Sequence, residues 1–112
     1  MNVLRLVPAV LLAAALAAGC AQSAPPRSVR AGADERSQAL IDSGNVAYRA
    51  GEFEDAARRY ASASVAKPDD PAAYYGLGMA LAKLGRDDEA RQAYAKARLL
   101  AGTAAADTSV RP

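Results

Sequence analysis

The chain has 112 residues, of which 52% are hydrophobic, and its 14 basic and 12 acidic side chains leave a net charge of +2. This length allows one small domain at most, and so small a charge leaves no basic stripe of the kind that follows a nucleic acid backbone. With one Cys and no His, an intramolecular disulfide and a thiolate metal cage are also excluded.

The first 20 residues divide into three parts. A weakly basic start with Arg5 precedes an uncharged run from Leu6 to Gly19. This run is too short to span a membrane comfortably and is typical of a secretory signal peptide. Small residues at positions 17–19 then stand directly before Cys20, the only cysteine of the chain.

The segment ending in Cys20 resembles the lipobox of bacterial lipoproteins, although the family's preferred Leu three positions earlier is Ala17 here. The resemblance implies that residues 1–19 are removed and that Cys20 carries diacylglycerol and an N-acyl chain such as palmitate. Two or three acyl chains anchor a protein stably. Since Ala21 follows instead of Asp, the resemblance implies an outer membrane location facing the periplasm. An ordinary secretory signal and an uncleaved short anchor are the alternatives.

Between Cys20 and the domain lies a segment rich in small and polar residues, "AQSAPPRSVRAGA". Pro25 and Pro26 disfavour a helix there, and little in it could be buried. We predict that residues 20–35 are the lipidated cysteine and a flexible tether to a domain at residues 36–104.

The apolar spacing within the domain predicts helices rather than strands. Gly51 and Gly85 are expected to end the first and third helices, because glycine accepts a positive φ. Asp70 followed by Pro71 is a good start for the third helix. The predicted helices are 38–50, 53–66, 71–84 and 87–101, and residues 105–112 are predicted to be a disordered tail.

Shifting the sequence by 34 positions aligns five small or aromatic residues without a gap, which defines two units, 37–70 and 71–104. The matched pairs are Gly44 and Gly78, Gly51 and Gly85, Ala56 and Ala90, Tyr60 and Tyr94, and Ala63 and Ala97. The units resemble the tetratricopeptide repeat. This implies an all-α fold of four antiparallel helices in a short right-handed solenoid. Alanines would allow close helix crossings, and the two tyrosines would fill wider gaps.

In that family the first helix of each unit lines a concave groove that holds a partner's peptide. Transferred to this sequence, the groove residues are Ile41, Asn45, Tyr48, Arg49, Tyr75, Met79, Ala82 and Lys83. The alternative is that Ile41, Tyr48 and Tyr75 simply pack between helices. Some family members place a carboxylate clamp at Asn45, but Ile41 and Met79 occupy the positions that would need Lys and a second Asn. We therefore expect no clamp.

Catalysis is not expected from this set of residues. No His is present, and no Ser lies in a nucleophile elbow. The acidic pairs 69–70 and 87–88 stand at helix starts, where capping is favoured over metal binding. We predict a protein that is not an enzyme and has no cofactor apart from the lipid on Cys20.

Two units are fewer than the roughly three that a repeat array usually needs. Leu99 and Leu100 have no capping helix after them, so apolar surface should stay open for self-association or docking on a larger protein. The leading hypothesis is a membrane-anchored interaction module, a scaffold or assembly factor of the bacterial envelope, similar in architecture to accessory proteins of pilus and secretion machines. A self-associating structural lipoprotein and a soluble exported ligand carrier are the alternatives.

Overall fold

The computed structural model describes the backbone of residues 26–109 and the side chains of residues 26–106. Over this range the fold is all-α, as predicted, with four helices and no strand. The helices are α1 (Arg27–Arg49), α2 (Phe53–Ala66), α3 (Pro71–Lys83) and α4 (Asp87–Ser109). The signal peptide and Cys20 lie outside the described residues, so their predicted roles stay predictions.

The turns that end α1 and α3 have the same geometry. Gly51 has φ of 78° and Gly85 has φ of 76°, the left-handed region in which a Cβ is unfavourable. Beyond the first glycine, the Glu52 amide donates to the Ala47 carbonyl at 2.9 Å, and the bond at the same position of the second turn has the same length. Each bond reaches back to the helix that has just ended, which is the Schellman pattern. The prediction that these glycines stop their helices is confirmed.

The connection between the two units is a short capped turn. The Asp70 carboxylate accepts a hydrogen bond from the Ala72 amide at 2.9 Å, and Pro71 occupies the first turn of α3. The carboxylate thereby satisfies a backbone N–H that has no partner within the helix. The predicted capping role of Asp70 is confirmed.

The core lies between α1, α2 and α3. The helix α3 packs against α1, α2 and α4, whereas α4 contacts α3 alone among the described helices. Small side chains dominate the core because these helices cross closely. Its buried members are Ile41, Ala47, Ala56, Ala57, Tyr60, Ala63, Ala73 and Ala80, and a smaller cluster of Leu81, Ala90 and Ala93 joins α3 to α4.

The helix α1 begins much earlier than predicted. It starts at Arg27 rather than at position 38, so the predicted tether is wrong for residues 27–35. Pro26 has φ of −59° and stands just before the first turn, where a proline costs no hydrogen bond. The extension lies beside the end of α2, where Lys67 Nζ is 2.9 Å from an Asp34 carboxylate oxygen.

The helix α4 is also longer than predicted. It continues to Ser109, so the predicted disordered tail is wrong for residues 105–109, while residues 110–112 lie outside the described range. Alanine is the strongest helix former, and the alanines at 104–106 favour the continuation of this helix. The Thr103 hydroxyl donates to the Leu99 carbonyl one turn earlier, at 2.9 Å.

Candidate functional site

Tyr60 of α2 is the centre of the packing between the two units. Its side chain is 1% exposed and lies between glycines of two different helices. A Cβ added to Gly44 of α1 would lie 2.9 Å from the ring, and one added to Gly76 of α3 would lie 2.4 Å from it. Only a residue without a side chain fits on either side. The ring therefore fixes the distances of α1 and α3 from α2.

The hydroxyl of Tyr60 has a defined partner. It donates a hydrogen bond to the side-chain oxygen of Asn45 at 2.6 Å. Burial raises the pKa of the Tyr60 phenol above its ordinary value, with a smaller raising effect from Tyr48 and a lowering effect from Arg49. Asn45, predicted as a groove residue, thus uses its side-chain oxygen for an internal bond.

Tyr94 of α4 is the counterpart of Tyr60 but is covered on one side only. A Cβ on Gly78 of α3 would lie 2.8 Å from the ring, and the ring centroid lies 5.5 Å from that of Tyr75. No helix follows α4 within the described residues, and the other side of the ring opens onto a cavity of about 500 Å³. We call this surface the end face. It consists of Pro71, Ala72, Tyr75, Tyr94, Ala97, Arg98 and Ala101.

The end face corresponds position by position to a surface that is buried in the first unit. Four of its members have counterparts 34 residues earlier that are all buried, and three of these lie in the core cluster that includes residues of α3. The pairs are Ser37 and Pro71, Ile41 and Tyr75, Tyr60 and Tyr94, and Ala63 and Ala97. Ile41 is 6% exposed, whereas Tyr75 is 55% exposed. The end face is therefore the surface that a following unit would cover.

The predicted groove residues differ in burial: one is buried, some are half-buried and some are exposed. Ile41 is buried in the core, so the groove role predicted for it is wrong and the alternative, packing between helices, holds. Tyr48 is half-buried, with its ring edge-on to Phe53 at 5.3 Å. Lys83 is exposed, and its Nζ lies 5.9 Å from the centroid of the same Phe53 ring. Arg49 and Ala82 are exposed as well, and Met79 is half-buried.

Tyr75 is the one predicted groove residue that lines the cavity of the end face. It does so from α3, where its ring lies next to that of Tyr94 of α4. The family groove predicts peptide contact along the first helices, but the apolar concavity here lies between the first and the second helix of unit two. Tyr75 thus serves a different surface from the one predicted for it.

The exposure of Leu99 has a different cause from the one the sequence suggested. Leu99 is 63% exposed, but its counterpart Val65 is 79% exposed although a second unit follows it. This position faces solvent in both units, so its exposure does not result from a missing third unit. The open apolar surface that was predicted is present, but it is centred on Tyr75 and Tyr94.

Two packing residues were missed at the level of sequence. Gly76 forms one wall of the Tyr60 site, but its counterpart in unit one is Asp42, so the 34-residue shift gives no signal. Ser37 is fully buried, and its hydroxyl donates to the Ala63 carbonyl at 3.4 Å. The sequence did offer one signal for Gly76, because it is a second glycine only two positions before the matched Gly78.

The opposite end of the molecule is polar. The α1 positions that correspond to the buried Ala73, Gly76 and Ala80 of α3 are all exposed. These positions are Ala39, Asp42 and Val46. The Asp42 carboxylate accepts a hydrogen bond from the Gln38 amide at 2.9 Å. This end of the stack is closed by a charged side chain and does not offer a flat apolar surface.

These features define a helical-repeat protein of the class that binds other proteins. The tetratricopeptide repeat family model matches residues 41–108, which is more than half of the chain. The chain therefore belongs to the tetratricopeptide repeat family, whose domains are typically non-catalytic and mediate protein–protein interactions. A search of curated proteins finds no match to the chain.

Two further findings concern only the described part of the chain. None of its helices is long and apolar enough to cross a membrane. No three His, Cys, Asp or Glu side chains come together there as a metal site would require.

Proposed function

We propose that this protein is an adapter of the bacterial envelope, anchored to a membrane by a lipid on Cys20, that binds a protein partner through its end face. The observation that carries this proposal is that Tyr75 is exposed and Tyr94 is partly exposed, whereas their counterparts in unit one are buried in the core that includes residues of α3. Large aromatic side chains beside an open apolar cavity are typical anchors of protein interfaces.

The position of α1 supports a close attachment to the membrane. Because α1 begins at Arg27, only residues 21–26 separate it from Cys20. Six residues reach about 20 Å when fully extended. A lipid on Cys20 would therefore hold the domain near the lipid headgroups, where its partner would be an envelope component such as part of a pilus or secretion machine.

Crosslinking in intact cells tests the protein partner. A tagged chain is crosslinked, purified in detergent, and its covalent partners are identified by mass spectrometry. We expect one envelope protein to be recovered with the unaltered chain and to be lost with Tyr75→Glu. Val65→Glu is the matched control, since it places the same charge at an exposed apolar position away from the end face. Recovery of other copies of the chain alone would contradict the proposal and favour a self-associating structural lipoprotein.

The anchor is tested separately. Cells are fed a clickable fatty acid, and the chain is probed for label and for its distribution between membrane and soluble fractions. We expect label on the unaltered chain and none on Cys20→Ser, which should also leave the membrane fraction. An unlabelled chain in the soluble fraction would contradict the anchor and favour an exported soluble carrier.

A further inference from the structure

We infer that the end face binds a single α-helix of the partner, which lies where the first helix of a third unit would lie and presents a glycine to Tyr94. This inference rests on the proposed function, because it specifies how that partner is held. We expect a helix because the corresponding surface of unit one is covered by a helix, α3. An extended peptide would not fill the same space.

The packing of α3 on unit one is the template for this complex. Ala73 and Ala80 are fully buried there, and Gly76 between them lies against the Tyr60 ring. A Cβ at Gly76 would approach that ring to 2.4 Å, so a glycine is required at the closest point. Tyr94 occupies the same position in α4 as Tyr60 in α2. A helix that repeats the small face of α3 therefore fits against Tyr94.

Charge indicates which end of the partner helix lies beside Arg98 of α4. In unit one, Lys67 at the end of α2 is hydrogen-bonded to Asp34, which raises its pKa, and the nearby Asp70 and Asp69 before α3 raise it further. The counterpart of Lys67 is Ala101, but Arg98 stands one turn earlier on the end face. None of the ion pairs among residues 26–106 involves Arg98.

The residues that line the end-face cavity include no carboxylate. Arg98 is thus a cation beside an apolar surface, and it has no ion-pair partner among residues 26–106. A helix whose N-terminal end carries Asp or Glu, as α3 does, would supply that partner. Acidic side chains in a first helical turn are also favoured by the helix itself.

A second copy of the chain does not meet these requirements. If α1 of another copy took the place of a third unit's first helix, Asp42 would stand where α3 has Gly76, and its carboxylate side chain would meet the Tyr94 ring. If two end faces met about a two-fold axis, two Arg98 guanidinium groups would share a surface without a carboxylate. The occupant is therefore a helix from a different protein.

A synthetic α3 helix is a direct probe of this site. The peptide contains residues 69–83, carries a fluorophore, and is kept helical by a staple joining the exposed positions 75 and 82. Its affinity for the purified chain is measured by fluorescence anisotropy. The matched control peptide has Gly76→Leu, and the protein variants are Tyr75→Glu, Arg98→Glu and the control Val65→Glu, each checked for folding by circular dichroism.

We expect the peptide to bind in the micromolar range, and the Gly76→Leu peptide to lose about tenfold or more in affinity. Tyr75→Glu and Arg98→Glu should weaken binding by a similar factor, whereas Val65→Glu should bind as the unaltered chain does. Binding to Arg98 should weaken as salt is raised, because the contact is ionic.

Three results would overturn the inference: no binding by the unaltered chain, equal binding of the two peptides, or concentration-dependent dimerisation that Tyr75→Glu abolishes. These are separable from a failure of the proposed function. If cells yield an envelope partner that Tyr75→Glu loses while the peptide fails to bind, binding of a partner through the end face stands and the helix site does not.

Discussion

The two units of this protein share a 34-residue sequence pattern, but the tyrosines at their centres have very different surroundings. Tyr60 is enclosed by glycines of α1 and α3 and donates a hydrogen bond to Asn45. Tyr94 lies against a glycine and Tyr75 of α3 and is partly exposed. The residue type and the helix position are the same in both. The difference shows that burial in such a repeat is decided by the next unit and not by the unit's own sequence.

The largest expected effect comes from removing the two rings. We expect Tyr60→Ala to lower the free energy of unfolding by about 3–5 kcal/mol, since it leaves a cavity among three helices that cannot collapse around it. Tyr94→Ala should cost only about 1–2 kcal/mol, because its ring is partly exposed and faces one helix. Urea unfolding followed by circular dichroism measures both. Equal losses would mean that the end face is covered in solution.

The glycines beside the rings give the next largest difference. Gly76→Ala brings a Cβ within 2.4 Å of a ring that Gly44 blocks from behind, so we expect a net loss of about 1–2 kcal/mol after the gain in helix propensity. In Gly78→Ala the Tyr94 ring can move toward the open side, and the propensity gain of about 1 kcal/mol should roughly cancel the strain. Thermal unfolding of the two variants tests this order. A stabilised Gly76→Ala variant would contradict the enclosed site.

Alkaline pH should distinguish the two tyrosines as well. Burial raises the pKa of Tyr60 above 10.0, so the folded state keeps a proton that the unfolded state has released. Stability from this group is fully present below pH 10.0 and is lost as pH rises through the raised folded pKa. We expect Tyr60→Phe to flatten the fall in stability above that pH, and to cost about 1 kcal/mol at neutral pH because Asn45 loses its donor.

Tyr94→Phe is the control for this pH dependence. The Tyr94 pKa is also raised, first by burial and then by Tyr75, but the ring is partly exposed and its hydroxyl has no hydrogen bond like that of Tyr60 to Asn45. A smaller change in the alkaline limb is expected. An unchanged pH profile for Tyr60→Phe would show that the phenol is not the group responsible.

The smallest expected effect is that of the ion pair between Lys67 and Asp34. Both side chains are substantially exposed, so Asp34→Asn should lower stability by only about 0.2–1 kcal/mol. This loss should shrink in high salt. Since the unit-two counterpart of Lys67 is Ala101, the equivalent pair cannot form there. Glu35→Gln serves as the surface control, because this exposed carboxylate is next to Asp34 in the sequence. A loss of stability that does not change with salt would indicate that Asp34 contributes to the packing of α1 and not through its charge.

The helix pattern of the repeat could be predicted because it depends on local residues and on spacing. The bounds of α2 match those expected, and Gly51, Gly85 and Asp70 end and begin helices as their backbone chemistry requires. The 34-residue shift identified both tyrosines, because they occupy matching positions. These features need no knowledge of the tertiary contacts.

The parts that failed depend on contacts between distant residues. The early start of α1, at Arg27, is accompanied by an ion pair between Asp34 and Lys67. These two residues lie far apart in the sequence. The burial of Ile41 and the exposure of Tyr75 differ only because α3 covers one of them. A sequence read one unit at a time assigns these two residues the same environment.

The charged Asp42 at the opposite end has a consequence for assembly. Repeat units that were open at both ends could add to one another without limit and form filaments. Here the end face would accept a helix, but the opposite end, with Asp42, does not present a helix surface that fits the end face of another copy. Each molecule therefore terminates the stack it belongs to, which favours a complex of fixed stoichiometry over a growing polymer.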